Sequence, residues 1–350
     1  MRNARRFAAI LVRGSLGLRL GLWLWLWLVA IAALAMGGAM GGAARADTLA
    51  LEDLLSAVVH VKTSINPDGR SVQALGASRE GSGIVIDDDG LVLTIGYLMV
   101  EAQSAEVITN EGRAVPANVV GYDHQTGFGL LRAIIPLHVH PLALGRSAAL
   151  KLQEPVVIAA YGGPARVAPA VVVAKREFAG SWEYLLDQAI FTTPPFPDWS
   201  GAALISHAGK LVGVGALILG DAGPKGDPGN MFVPIDLLVP ILADLIADGR
   251  SSGPARPWLG VTTQEVHGRL IVAAVAPGGP AEKAGLHHGD IILRVGATAP
   301  KSLVDFYRKV YGRGAAGITV PLDIERDDET RHFDVKSMNR LDHLRLKSTF

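Results

Sequence analysis

The residue types that could perform chemistry in this chain are limited first by the absence of cysteine. Thiolate catalysis, cysteine-ligated metals and disulfide bonds are therefore excluded. Ten histidines remain as possible bases or metal ligands. His138 and His140 alternate on a predicted strand and could ligate a metal at this spacing, but the sequence offers no third ligand. We therefore predict neither a metal nor a cofactor.

The other histidines that stand out have structural explanations. His60 lies between two valines in a predicted strand, and His207 lies in a predicted turn. The pair His287 and His288 also lies in a turn, where both rings are expected to be solvated. None of these positions identifies a catalytic base by itself.

Charge is unevenly distributed even though the 33 basic and 33 acidic residues balance. Six arginines precede the first acidic residue, Asp47, so the chain from Asp47 onward carries a net charge of −6. Phosphate binding needs a basic surface, and this balance disfavours nucleic acid as a partner. Hydrophobic residues make up 49% of the 350 residues, which is enough to build the cores of two domains.

The amino terminus has the features of an export signal. Arginines up to Arg19 precede an uncharged stretch over Leu20–Ala44, and Ala44-Arg45-Ala46 offers a cleavage site. We predict a signal peptide over residues 1–46 that exports the protein to the periplasm. An uncleaved inner-membrane anchor is the alternative, because the apolar run approaches the ~20 residues that span a bilayer. The rest of the chain would face the periplasm in either case.

Short apolar runs separated by turn residues follow the leader, which predicts an all-β architecture. The turn Asp87-Asp88-Asp89-Gly90 joins two such runs, and Gly90 is expected at positive φ. One helix is predicted over Pro234–Ala247, and its apolar face consists of Leu237, Leu238, Ile241, Leu242 and Leu245. The runs that predict strands include Ala57–Val61, Ile84–Ile86, Leu91–Thr94, Val156–Ile158 and Leu211–Val214.

A linker of turn-forming residues, Gly249–Pro257, precedes a smaller unit. There, Pro280 opens a short helix that Gly285 ends, and a second helix begins at the capping box Ser302-x-x-Asp305. Residues 341–350 are predicted to form a tail.

Two sets of motifs resemble the HtrA (Deg) family of serine proteases and cover about residues 50–340 in order. The first set is Gly81–Ile86 with Gly90–Thr94, Val119–Asp123, Thr126–Leu131, and Ser200–Leu204 with Gly209–Val214. The second set is Trp258–Val261 and Pro277–Ile292, which resemble the family's PDZ signature and form the stronger match.

The resemblance implies a mainly β fold with a chymotrypsin-like double β-barrel over residues 47–248. The linker 249–257 and a PDZ domain over 258–340, a β-sandwich with two helices, would follow. Members of the family degrade or refold damaged proteins in the bacterial periplasm, usually as trimers or larger assemblies. The resemblance therefore implies a homo- or hetero-oligomer that binds the carboxyl termini of peptides or unfolded proteins.

Fitting the family's motifs residue by residue puts Ser200 at the nucleophile, Tyr97 at the histidine and Gly127 at the aspartate position of the triad. Tyrosine titrates near pH ~10 and is a poor base at neutral pH, and glycine has no side chain to orient one. His124 is near the aspartate position, which is the wrong place for a base. Asp198 replaces a glycine beside the oxyanion hole, where a carboxylate would repel the developing negative charge.

The loop before Ser200 is predicted to be stiff, suited to rigidity or an apolar contact, since three prolines accompany two aromatic residues. These residues are Pro194, Pro195, Phe196, Pro197 and Trp199.

The PDZ signature carries its own site prediction. PDZ domains add a ligand as a β-strand and hold its terminal carboxylate with successive backbone N–H groups. By resemblance, Leu259, Gly260 and Val261 supply these groups, and the helix from Ser302 lines the groove. We expect peptides with an apolar carboxyl-terminal residue to bind there. The chain's own end, Lys347–Phe350, has this character.

Three hypotheses remain open at this point. The preferred one is a catalytically inactive HtrA-like protein that binds peptides or partner proteins in envelope protein quality control. The second is an active serine endopeptidase that uses Ser200 with an unrecognised base. The third is a regulatory subunit that assembles with an active HtrA protease.

Overall fold

The first barrel is built from strands that coincide with the short apolar runs of the sequence. The computed structural model of the chain describes residues 52–346. Six antiparallel strands close in the order β1-β2-β3-β6-β5-β4. They are β1 (Val58–Ile65), β2 (Ser78–Val85), β3 (Leu91–Ile95), β4 (Ala102–Ile108), β5 (Ala114–Tyr122) and β6 (Phe128–Ala133). Gly90 has a φ of 76°, as the hairpin turn between β2 and β3 requires.

A second closed barrel follows with the order β10-β11-β12-β9-β8-β7. Its strands are β7 (Pro155–Ala159), β8 (Val167–Gly180), β9 (Tyr184–Thr193), β10 (Ala203–Ser206), β11 (Leu211–Leu219) and β12 (Gly229–Pro234). Strands β8 and β9 are the longest of this barrel and form a hairpin that extends to Gly180 and Tyr184. One hydrophobic cluster contains residues of both barrels, from Leu55 to Leu245. The predicted mainly β fold with a double barrel is confirmed.

The carboxyl-terminal unit is a five-stranded antiparallel sheet in sequential order. Its strands are β13 (Val261–Val266), β14 (Arg269–Val275), β15 (Ile291–Val295), β16 (Thr319–Arg326) and β17 (Glu329–Lys336). Both predicted helices are present, as Pro280–Ala284 and Leu303–Tyr311. The Ser302 side chain accepts a hydrogen bond from the N–H of Asp305, as the capping box predicts. Phe306, Tyr307 and Val310 turn into the core of this unit.

The helices are numbered α1 (Val72–Leu75), α2 (Leu242–Asp248), α3 (Pro280–Ala284), α4 (Leu303–Tyr311) and α5 (Arg340–His343). The single helix predicted over Pro234–Ala247 is wrong. A 3-10 turn at Ile235–Leu237 is separated from α2, because Pro240 cannot donate the backbone hydrogen bond that a continuous helix needs. Of the predicted apolar face, Leu238 and Leu245 are fully buried, whereas Leu237 is 37% exposed.

The predicted linker, residues 249–257, contains neither helix nor strand. Residues 341–346 of the predicted tail include the end of α5, and the N–H of Arg345 donates to the Glu101 carboxylate. The predicted signal peptide and residues 347–350 lie outside the described residues, and the exact domain boundaries stay a prediction. Within residues 52–346, no helix is long and apolar enough to cross a membrane.

The loop before Ser200 is fixed by a buried amide that the sequence did not identify. Asn230 on β12 accepts from the N–H of Phe196 at 2.6 Å and donates to its carbonyl at 3.0 Å. Asn230 is fully buried, and Phe196 is 8% exposed. The side-chain amide therefore pairs both backbone groups of a residue that water barely reaches.

We predict that Asn230→Ala lowers the free energy of unfolding by about 2–4 kcal/mol, because two buried backbone groups lose their partner. Urea-induced unfolding would measure the loss. Asn118→Ala, at an exposed position on β5, is the matched control and should change stability by less than about 0.5 kcal/mol. Equal unfolding midpoints for the two variants would contradict this role of Asn230.

Candidate active site and carboxylate-binding loop

Tyr97 is held at the end of strand β3 by backbone contacts on both sides. The N–H of the preceding Gly96 donates to the Gly127 carbonyl at 2.7 Å. On the other side, the guanidinium of Arg79 donates to the Tyr97 carbonyl at 2.7 Å. Arg79 is only 6% exposed and bonds three further oxygens. The buried guanidinium of Arg79 thus fixes the segment that carries Tyr97 through several N–H donors.

Ser200 lies at the junction of the two barrels. Its carbonyl accepts a hydrogen bond from the N–H of Ser82 on β2 at 2.8 Å. The next residue, Gly201, has a φ of 71°, and a Cβ there would lie 2.0 Å from the Ser82 carbonyl oxygen. Only glycine fits this close approach, which lets the turn present the Ser200 side chain to the first barrel.

The structure brings Tyr97 and Ser200 into direct contact. The Tyr97 hydroxyl donates to Ser200 Oγ at 2.7 Å. Burial raises the pKa of Tyr97 well above its ordinary value, and the bond with Ser200 offsets only part of that effect. A neutral phenol gives a proton to the serine oxygen and cannot remove one from it.

Gly127 lies beside Tyr97 at the aspartate position, and a tyrosine fills the adjacent space. The Tyr184 hydroxyl donates to the Thr126 carbonyl at 2.5 Å. A Cβ built on Gly127 would lie 3.1 Å from this hydroxyl oxygen, and the φ of Gly127 is 84°. A side chain here would therefore adopt a strained backbone conformation and crowd the Tyr184 hydroxyl.

Neighbouring polar residues are engaged elsewhere. Both Asp123 carboxylate oxygens accept hydrogen bonds, one from Thr126 and the other from the Ser251 hydroxyl. His124 lies between the Tyr122 hydroxyl and the Arg340 guanidinium, at 3.0 and 2.9 Å. Burial, together with the charge of Arg340, lowers the pKa of His124 well below its ordinary value. Neither contact directs His124 at Ser200.

Asp198 does not stand as an isolated charge beside Ser200. Its carboxylate pairs with Arg166 at 2.6 Å, and both side chains are partly exposed. The Trp199 ring lies 6.1 Å from the Tyr97 ring, measured between centroids. The two residues before Ser200 are therefore engaged, Asp198 in an ion pair and Trp199 in an aromatic contact.

The PDZ loop presents its N–H groups to a carboxylate, but that carboxylate belongs to the same chain. Glu183, between β8 and β9, accepts from the N–H of Leu259 at 2.8 Å with one oxygen. Its other oxygen accepts from Gly260 at 2.7 Å and from Val261 at 2.9 Å. Glu183 is 4% exposed, and burial raises its pKa to about 7 against the opposing effect of these three bonds.

Sequence reasoning missed Glu183 altogether. The only local signal was one acidic residue among Trp182, Tyr184 and Leu185 at a hairpin turn. Arg79 was also missed, because an arginine in an alternating strand is ordinarily a solvated residue.

Comparisons with known proteins agree with this architecture. Residues 81–214 match the trypsin-like peptidase domain, and residues 257–337 match the PDZ domain. The chain is 31% identical over 274 residues to the probable periplasmic serine endoprotease DegP-like of Pseudomonas putida (strain W619), which covers 73% of this chain and 55% of the relative. The chain thus spans about half the length of the DegP-like relatives it matches.

Two further comparisons extend over more of the other protein. The serine protease Do-like HtrA of Lactococcus lactis subsp. lactis (strain IL1403) is 30% identical over 305 residues, which cover 76% of this chain and 72% of the relative. The solved structure of the HtrA-type protease AlgW with a decapeptide superposes with a TM-score of 0.51 at 20% identity. That superposition covers 83% of this chain and 98% of the AlgW chain, and it supports the fold alone. From the two domain matches and the HtrA relatives, we conclude that this chain belongs to the HtrA family of trypsin-like serine proteases with a PDZ domain.

Proposed function

We propose that this chain is a catalytically silent member of the HtrA family that binds peptides or unfolded proteins in the periplasm. The observation that carries the proposal is the hydrogen bond from the Tyr97 hydroxyl to Ser200 Oγ. In an active member of this fold, a histidine would take the proton of the serine hydroxyl. Here the neighbour of Ser200 is a donor whose pKa is raised by burial, so the hydroxyl stays protonated.

The surroundings of Gly127 support the same conclusion. A triad carboxylate orients the histidine and stabilises its charged form. At this position the Tyr184 hydroxyl lies within 3.1 Å of a built Cβ, and the backbone is left-handed. A new side chain there would be strained by this backbone and would crowd the hydroxyl of the buried Tyr184, which disfavours a carboxylate at this position.

The relatives support two parts of the proposal, peptide binding and a periplasmic location. AlgW has been solved with a decapeptide, and the Pseudomonas putida relative is described as periplasmic. The PDZ domain and the amino-terminal features of this chain make the same properties reasonable here. A role in envelope protein quality control follows as part of the proposal.

We predict that casein hydrolysis by the purified protein equals that of its Ser200→Ala variant. Loss of the nucleophile or base costs on the order of 10⁶ in turnover in a protease where it has been measured. Because burial raises the pKa of Tyr97 above its ordinary value of 10.0, no phenolate base should form on raising the pH from 7 to 10.

A fluorophosphonate probe provides the second readout, since it labels only an activated serine. The expected result is no labelling of the wild type beyond that of Ser200→Ala. Wild-type hydrolysis or labelling that disappears in Ser200→Ala would contradict the proposal and favour an active endopeptidase.

We predict that Tyr97→His with Gly127→Asp does not restore hydrolysis and unfolds at a lower temperature than Tyr97→His alone. A side chain at a φ of 84° is strained, and the new carboxylate would meet Tyr184. Adding Tyr184→Phe and Asp198→Gly should increase hydrolysis, because the first opens space and the second restores the glycine that the family has beside the oxyanion hole. The same four substitutions with Ser200→Ala form the control. Full activity of the double variant alone would show that Tyr184 presents no obstacle.

We predict that the leader is cleaved, so that the protein recovered from the envelope begins at Asp47. The arginine-rich start, the apolar core and the Ala44-Arg45-Ala46 site are typical of a signal peptide. Intact-mass measurement of the recovered protein provides the test. A species that keeps residues 1–46 and stays in carbonate-washed membranes would indicate the anchor instead.

A further inference from the structure

The turn between β8 and β9 lies along strand β13 of the PDZ domain. The N–H of Thr263 donates to the Ser181 carbonyl at 2.8 Å, and the N–H of Val261 donates to the Glu183 carboxylate at 2.9 Å. These contacts are two residues apart on each segment and run in opposite directions along the sequence. The turn thus follows β13 in the antiparallel direction that PDZ ligands use, with one backbone–backbone hydrogen bond and with the Glu183 side chain as the second acceptor.

Helix α4 bonds the same turn from the other side. The Tyr307 hydroxyl accepts from the N–H of Glu183 at 3.1 Å and donates to the Gly180 carbonyl at 2.8 Å. The Tyr311 hydroxyl donates to the Glu183 carbonyl at 3.0 Å. Polar groups on both walls of the groove are therefore paired with the turn.

Apolar contacts complete the docking. Leu185 belongs to β9 of the second barrel, yet it is 5% exposed within the hydrophobic cluster of the PDZ domain. Burial of its apolar side chain stabilises the docked turn. At the rim of the contact, the Arg308 guanidinium pairs with Glu177 and Asp187, which are exposed and contribute little.

The carboxylate of Glu183 takes the part of a ligand's terminal carboxylate. It accepts from three successive N–H groups, those of Leu259, Gly260 and Val261. A second carboxylate could not use these donors at the same time, because each N–H has one proton to donate.

We propose that the segment Gly180–Leu185 is an internal ligand of the PDZ groove, so that an external carboxyl terminus binds only after the Glu183 carboxylate has left the loop. This inference rests on peptide binding as the function of the PDZ domain. It goes further by identifying the residue that competes with every external ligand. The apparent affinity for peptides is then the intrinsic affinity multiplied by the fraction of molecules whose groove is open.

Two features of the docked state cost free energy, and both make it easier for a peptide to displace Glu183. Glu183 has a φ of 59°, which is strained for a residue with a side chain. Burial also removes its carboxylate from water, at a cost that the three N–H bonds must offset. A peptide carboxylate would restore the three bonds to the loop while Glu183 regained its hydration.

Replacing Glu183 should open the site to peptide. The probe is a fluorescein-labelled peptide with the sequence of residues 341–350, used with a free carboxylate and as its amide. With the purified full chain, fluorescence polarisation should show that Glu183→Ala binds the free-acid peptide about tenfold more tightly than the wild type. The peptide affinity of Glu183→Gln should lie between those of Glu183→Ala and the wild type, because its side-chain amide leaves one N–H of the loop facing a donor. Glu111→Gln, an exposed carboxylate in a turn of the first barrel, is the charge-matched control and should match the wild type.

Hydrogen–deuterium exchange provides a readout that does not depend on peptide binding. Without peptide, residues 259–263 should exchange faster in Glu183→Ala than in the wild type. In the wild type, saturating free-acid peptide should accelerate exchange over residues 181–185 while residues 259–263 stay protected. The wild-type measurement keeps the test valid if the Glu183 variants fold poorly.

The outcomes separate this inference from the proposed function. Equal peptide affinity in the wild type and both Glu183 variants would overturn the inference while leaving peptide binding intact. No preference for the free acid over the amide in any variant would overturn carboxyl-terminal binding as the function. Competition with external carboxyl termini would then fall with it, and only docking of Gly180–Leu185 in the groove would remain, supported by faster exchange at residues 259–263 in Glu183→Ala. Equal exchange there would overturn the inference as well.

Discussion

A buried carboxylate needs donors, and the arrangement of this protein depends on how Glu183 obtains them. A carboxylate removed from water without partners costs several kcal/mol or shifts its pKa until it is neutral. Three backbone N–H groups of the PDZ loop supply the partners and oppose the effect of burial, which still raises the pKa of Glu183 to about 7. This acidic side chain thereby adds three hydrogen bonds to the other contacts between the second barrel and the PDZ domain. Its removal would leave three N–H groups to water or to another ligand.

One turn serves two sites that would otherwise be open. Glu183 fills the carboxylate loop, and the next residue, Tyr184, places its hydroxyl against Thr126 beside Gly127. Leu185 then enters the PDZ core. These three consecutive residues thus touch the PDZ loop, the aspartate position of the first barrel and the PDZ interior. The carboxylate loop and the neighbourhood of Gly127 therefore share one structural element.

The sequence predicted well the features that depend on neighbouring residues, and it missed contacts between residues far apart along the chain. The turn at Gly90 and the cap at Ser302 follow from residues within a few positions of each other, whose backbone chemistry is short-range. Glu183 and the loop it binds are separated by 76 to 78 residues, and Asn230 and Phe196 by 34. No spacing rule connects such pairs. The error over Pro234–Ala247 was of a different kind, because apolar periodicity was allowed to outweigh Pro240.

A glycine at position 127 is compatible with the docked turn, whereas an aspartate at this position would conflict with it. Tyr184 is buried, and its pKa is raised well above its ordinary value by burial first and by the nearby Tyr122 and Asp123. A carboxylate on residue 127 would add a second buried acid close to Asp123, facing the hydroxyl that now donates to Thr126. Two carboxylates in one poorly solvated space repel each other, and one of them would be driven towards its neutral form. Removal of the Tyr184 hydroxyl would give the new side chain more room, but the two carboxylates would still repel each other. It would also release the residue next to Glu183 from its bond to the first barrel. In this chain, the space that an orienting carboxylate needs is the space that anchors the turn closing the PDZ groove.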